Sequence, residues 1–218
     1  MLGDGNSAEI GNLAMTRPLT FITLGPAGTN HELVARRYLD FHQINAELVL
    51  IDDFFEGLAM IDRGDADYMV QVAVHPDCAD TVARGHFEHG VHIIDTFISP
   101  SRDLAILTRR EVETPRTLAL QPATRGYADI SAWTEHIAVS SIMRIAEGLL
   151  SGAYDSGLTT LEVAEAHPDK LRVDVQIGTV DDPWLIFGKA RVAKGDLVAW
   201  PDSPGAAIVR GGGGQRVT

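Results

Sequence analysis

An α/β protein is predicted, built on mainly parallel sheets and arranged as one large domain or two small lobes. Three observations predict it. Short β-branched runs alternate with amphipathic helical stretches along most of the chain, the signature of strand–helix–strand construction. The length of 218 residues suits one large domain or two small ones at about 150 residues per domain. Hydrophobic residues make up 45% and charged residues 22%, enough apolar material for a packed core.

Each element has a local reason. Residues 1–16 are rich in Gly, Asn and Ser and carry no period, so they read as a flexible arm; Met1 and Met15 both stand as candidate starts. Thr20–Leu24 is a β-branched strand that Gly25–Gly28 breaks. Thr29 opens a helix, with Glu32 three residues on as the second half of a capping box, and Val34, Tyr38 and Phe41 fall on one helical face. Glu47–Ile51 is the second strand, and Asp53 with Glu56 opens a helix that Gly64 closes. Tyr68–Val74, Val91–Ile98, Leu104–Thr108 and Thr117–Leu120 read as strands. Ser140 is placed to cap a helix over Ile142–Ser151, with Gly152 as its stop. Leu171–Gln176 and Leu185–Phe187 read as the last strands. Residues 201–218 combine Pro with four consecutive Gly and are expected to be disordered, because such a run cannot repay its ordering entropy.

Charge and cysteine usage exclude several functions. Thirty acidic against 18 basic side chains give a formal net charge of -12. That argues against a nucleic-acid binder, which needs a basic face, and against adhesion to anionic lipid. A small anionic substrate stays open, since one local Arg or helix N-terminus outweighs a distant net charge. The single cysteine, Cys78, excludes an intrachain disulfide and any multi-cysteine metal site, and it suits a reducing cytosol. The opening residues have no basic-then-apolar leader pattern, and no apolar run reaches membrane-spanning length, so a cytoplasmic protein is expected. His86, His89 and His92 do not share a helix face across Gly85 and Gly90, so no metal site is read there. Dinucleotide, Walker, zinc-helix and hydrolase-elbow motifs are missing, and no cofactor is called for. The partners expected are a small anion and, at most, a second copy of the chain as a homodimer.

The most informative stretch is Leu24–Glu32, LGPAGTNHE. A strand ends, Gly-Pro turns sharply, and Gly28-Thr29 opens a helix whose free N–H groups carry the positive end of the dipole. Thr29, Asn30 and His31 add side-chain donors, completing a corner suited to a carboxylate or phosphate. The same residues also describe an ordinary capped strand-to-helix turn. Ser140 and Thr159 are N-cap candidates first and ligand donors second.

This stretch resembles the Leu-Gly-Pro-x-Gly-Thr-(aromatic)-Ser-Glu signature that opens prephenate dehydratase domains. The likeness extends in kind over about residues 18–190, through Asp67–Val82, Asp95–Thr108 and Ser140–Ala166. It implies a type 2 periplasmic-binding-protein-like architecture of two α/β lobes with substrate in the cleft between them. Residues 17–101 with 178–200 would form lobe 1 and residues 102–177 lobe 2. Dehydratases also carry a Thr-Arg-Phe motif, its Thr assisting loss of the ring hydroxyl and its Arg binding carboxylate. The corresponding stretch here, Asp181–Phe187 (DDPWLIF), has neither Thr nor Arg. In that respect the chain resembles the non-aromatising prephenate decarboxylases of the bacilysin/anticapsin type. The resemblance implies substrate contacts from Gly28, Thr29 and Asn30, and from Ser101 and Arg102 where the family crosses between lobes. Thr124 and Arg125 stand in the place of its Ser-His-Pro loop, and Trp184 would shield a diene. His31 or His75 would deliver the proton, with Arg102 or Arg125 anchoring carboxylates. Three functions fit: a cofactor-free decarboxylase of prephenate or a similar cyclic dicarboxylic acid, a dehydratase using a different acid, and a non-catalytic small-anion-binding module.

Overall fold

The computed structural model describes residues 17–211; the arm read over residues 1–16 and the tail beyond 211 lie outside them. Two five-stranded sheets divide the fold. The first contains β1 (Leu19–Leu24), β2 (Ala46–Ile51), β3 (Tyr68–Val72), β4 (His92–Pro100) and the returning β10 (Asp181–Gly188). Its order is β2-β1-β3-β10-β4. The second contains β5 (Leu104–Arg109), β6 (Thr117–Leu120), β7 (Glu135–Ala138), β8 (Ser156–Thr160) and β9 (Leu171–Gly178), in the order β7-β6-β8-β5-β9. Helices α1 (Asn30–Phe41), α2 (Phe54–Arg63) and α3 (Cys78–Arg84) belong to the first lobe, and α4 (Ile142–Ser151) and α5 (Leu161–Ala166) to the second.

The sheets are mixed rather than mainly parallel. β1 runs parallel to β2 and β3, but β10 is antiparallel to both β3 and β4. In the second sheet β6 is parallel to β7 and β8, while β5 is antiparallel to β8 and β9. The correction has a topological cause: the chain crosses between lobes twice, and the strand that returns after β9 enters the first sheet against the direction of its neighbours.

Local signals fix the helices as chemistry requires. Thr29 caps α1 and accepts from the Glu32 N–H, while the Asp53 carboxylate caps α2 by accepting from the N–H groups of Phe55 and Glu56. Gly64 and Gly152 end α2 and α4 in the left-handed conformation. The cap of α4 is Ser141, one residue beyond the expected Ser140. Phe41 does not join the buried face of α1; it is 82% exposed at the frayed last position. Where disorder was expected from residue 201, Pro204–Gly211 form a short helix, α6, because the Pro sits at its first position and Ser203 caps it.

Each lobe has apolar layers on both sides of its sheet. Ile22, Phe54, Leu58, Met69 and Phe187 fill one side of the first, and Phe21, Val34, Val70, Trp184 and Ile186 the other. In the second lobe Leu104, Ile106, Leu118, Trp133 and Leu158 form one layer, and Leu107, Ile145, Leu149 and Leu171 the other. The two crossings are stitched together. Ser101 N donates to Val180 O at 2.8 Å, and Val180 N donates to Ser101 Oγ at 2.9 Å. No helix among the described residues is long and apolar enough to cross a membrane.

Candidate functional site

A cleft of about 680 Å³, including its solvent-open mouth, lies between the lobes. From the first lobe it is lined by Thr29, Asn30, His31, His75, Asp182 and Trp184; from the second by Gln121, Thr124, Tyr127, Ser140 and Ser141. Two helix N-termini therefore open into it, those of α1 and α4.

The free donors at these ends follow from the caps. At α1, Gly28 N donates to Glu32 Oε2 at 2.7 Å, and Glu32 N is satisfied by Thr29 Oγ1 at 3.4 Å. Gly28 adopts φ +84°, which suits a residue with no Cβ and delivers its N–H to that carboxylate. The N–H groups of Asn30 and His31 remain unclaimed among the described residues. At α4, Ser141 Oγ accepts from Arg144 N at 3.3 Å, leaving those of Ile142 and Met143. No Lys or Arg lines the cleft among the described residues, so an anion there meets helix dipoles and neutral donors. The Glu32 carboxyl is held below its ordinary range by the Gly28 N–H and by Arg36, so it stays charged outside the cleft lining. Because Thr29 is a buried cap, Thr29→Ala is expected to lower stability by about 1 kcal/mol; an unchanged urea midpoint would show the cap to be dispensable.

His31 is buried, its ring 5.3 Å from that of Trp184 and 6.1 Å from that of His75. Burial, with a smaller contribution from His75, pushes its pKa down to about 3. Burial also lowers the pKa of His75, opposed by Asp77. Asp77 N donates to His75 Nδ1 at 3.2 Å, which puts the proton of the neutral ring on Nε2. Burial thus disfavours the charged form of both rings expected to deliver the proton. His31 is neutral near pH 7. Its Nε2 and the Nε1 of Trp184 are both buried without a partner. Such groups cost about 1–3 kcal/mol each unless something pairs them.

Other expected site residues are placed differently. Arg102 is clamped by Glu162 through Nη1, at 3.1 and 3.0 Å, and does not line the cleft. Its backbone N–H instead donates to Asn30 Oδ1 at 2.9 Å, tying α1 to the crossing. Ser101 stitches the crossings as described. Arg125 is exposed and donates to His136 Nδ1 at 3.2 Å, facing away from the cleft. Thr159 is fully buried in β8, its Oγ1 donating to Ile142 O at 2.7 Å, which positions α4 rather than ligand. Gly28 borders the cleft through its neighbours but spends its donor on Glu32. Thr29, Asn30, His31, His75, Thr124, Ser140 and Trp184 do line the cleft.

Two residues that sequence reasoning passed over stand out. Asp182 is 7% exposed on the cleft side of β10, two residues from Trp184 and therefore on the same face. Tyr127 reaches across from the second lobe, its hydroxyl donating to Asp182 Oδ1 at 3.4 Å. Burial raises the Asp182 carboxyl above its ordinary range and neighbouring Asp181 adds to this, while the Tyr127 hydrogen bond opposes it. Burial and Asp182 push the Tyr127 phenol up to about 12. A period-two reading of DDPWLIF puts Asp182 inward with Trp184; nothing in the sequence marks Tyr127.

The site and fold together define a two-lobed α/β protein with a cleft between its lobes. No protein-family model matches the chain, and no curated protein matches it. Among solved structures, the prephenate dehydratase of Arthrobacter aurescens in complex with L-Phe superposes with a TM-score of 0.60 at 19% identity, over 86% of this chain and 69% of that one. The Bordetella pertussis BvgS periplasmic VFT2 domain gives 0.47 at 15% identity over 78% and 80%. An ABC transporter from Parabacteroides distasonis gives 0.48 at 10% identity over 78% and 65%. The fold is that of a prephenate dehydratase-like domain.

Proposed function

We propose that this protein is a cofactor-free carbon–carbon lyase that removes carbon dioxide from prephenate or a similar cyclic dicarboxylic acid and leaves the ring hydroxyl in place. The observation that carries this reading is the cleft face of β10. It presents Asp182 and Trp184 in the stretch where the resembled dehydratases have Thr and Arg. The α1 and α4 N-termini would take the carboxylates in place of an arginine. The unpartnered His31 Nε2 and Trp184 Nε1 would meet an oxygen of the substrate when the lobes rearrange around it.

The chemistry separates two outcomes. Expelling both carbon dioxide and hydroxide aromatises the ring and needs a proton donor at the departing oxygen. If the donor instead serves the diene, the electron pair released with carbon dioxide is captured as a new C–H bond, and the ring stays non-aromatic. The buried carboxyl of Asp182 would serve a leaving hydroxyl as well as a diene carbon, so it does not separate the two outcomes. Mass spectrometry of prephenate incubated with the protein decides. The expected product is lighter by carbon dioxide alone; loss of carbon dioxide and water together would establish the dehydratase, and unchanged prephenate would leave a binding module.

A further inference from the structure

The geometry points to Asp182 as the acid that hands its proton to the substrate in this cleft, with Tyr127 as the residue that positions it from the opposite lobe. This rests on the lyase reading above. Four observations converge on it. Asp182 lines the cleft on the same strand face as Trp184. It is largely buried, and its single side-chain hydrogen bond among the described residues is the one from Tyr127 to Oδ1, so Oδ2 is free to carry and aim a proton. Burial disfavours the charged form of both imidazoles in the cleft. Among the described residues, no lysine, arginine or cysteine lines the cleft to compete for the role.

The step balances. The bond between the ring carbon and its carboxylate breaks, and carbon dioxide leaves. The electron pair forms a new double bond to the neighbouring ring carbon, and the far carbon of that former ring double bond takes the proton from the Asp182 carboxyl. Asp182 is left as a carboxylate, to which the Tyr127 hydroxyl donates, and a solvent proton restores the acid.

The charged and titratable groups facing Asp182 are few. Tyr127 approaches from the second lobe and Asp181 adjoins it on β10. His31 and His75 line the same first-lobe wall of the cleft. On β4 the paired residue is Ser99, which holds Arg37 Nη1 at 3.5 Å. Of these, Tyr127 is the one whose hydrogen bond favours the charged carboxylate.

The test compares wild type, Asp182→Asn and Tyr127→Phe in steady-state turnover of prephenate from pH 5 to 9, with circular dichroism melts to confirm folding. Asp182→Asn is expected to lower kcat by about 10²–10⁴-fold, the range of a general acid, with KM little changed. In Tyr127→Phe the carboxylate loses a donor, so the limb along which activity falls with rising pH is expected to move upward. A merely structural Tyr127 would change the amplitude and leave the limb in place. Wild-type turnover with Asp182→Asn within threefold of it overturns the assignment alone. Phenylpyruvate as product overturns the decarboxylase but keeps Asp182 as acid, with the leaving hydroxyl as proton acceptor, provided the variant still loses kcat. No wild-type turnover overturns both.

Discussion

Trp184→Ala is expected to cost about 3–5 kcal/mol, the scale for removing a buried aromatic side chain from a packed core. Trp184 is 1% exposed and sits between Val72 of β3 and Phe97 of β4 in the strand register. It packs with Phe21, Val34, Val70 and Ile186 beneath α1, and its ring meets that of His31 edge-on. Truncation would leave a cavity under the helix whose N-terminus forms the anion corner. In a chain of this size the melting temperature should fall by roughly 6–20 °C. Trp184→Phe separates packing from hydrogen bonding. It keeps a ring but deletes Nε1–H, which has no partner among the described residues. Losing ring area costs stability, and removing an unpaired buried donor returns some of it. The phenylalanine variant should therefore melt close to wild type and bind prephenate more weakly by isothermal calorimetry. A Trp184→Ala protein within about 1 kcal/mol of wild type would show that β10 does not depend on this side chain.

The contrast between what is local and what is distant explains how much could be read from the sequence. The caps of α1 and α2 were legible because they are short-range: Thr29 with Glu32, and Asp53 with Glu56 before Gly64. The strand β8 was not, because SGLTT carries little apolar signal, yet all five of its residues are buried. It runs between β6 and β5 under α4, where a Cβ on Gly157 would lie 2.4 Å from Ile145 Cγ2. Glycine is there because the helix comes that close. The arginines show the same limit at the site. Arg102 and Arg125 carried the right chemistry for a carboxylate clamp, but Glu162 and His136 take them. Those pairings depend on the tertiary fold, and no sequence spacing announces them. Asp182 was half legible: its alternation with Trp184 was on the page, but its partner came from the other lobe.

Acid should destabilise this protein well before its carboxylates titrate, because the fold holds His31 uncharged. In the unfolded chain the imidazole has its ordinary value of 6.5, and in the folded protein burial lowers it to about 3. Between those values the unfolded state binds the extra proton, so stability falls as pH drops below 6.5 and the loss is complete near pH 3. Above 6.5 both states are neutral and the group contributes no pH dependence. At pH 5 the difference is on the order of 2 kcal/mol. Glu32 and Asp155, whose carboxyls are lowered in the fold, contribute chiefly as pH falls through their ordinary values of 4.5 and 3.8. Asp182, raised in the fold, acts in the opposite sense, and comparing a variant with wild type by urea unfolding at pH 7.5 and pH 5.0 cancels it. His75 is lowered in the same direction and remains in both proteins being compared. His31→Leu removes the buried titrating group and its unpaired Nε2 at once. Its loss of stability between the two pH values should be smaller than that of wild type by about 2 kcal/mol. If the two proteins lose equal stability, the fold does not hold His31 neutral at pH 5.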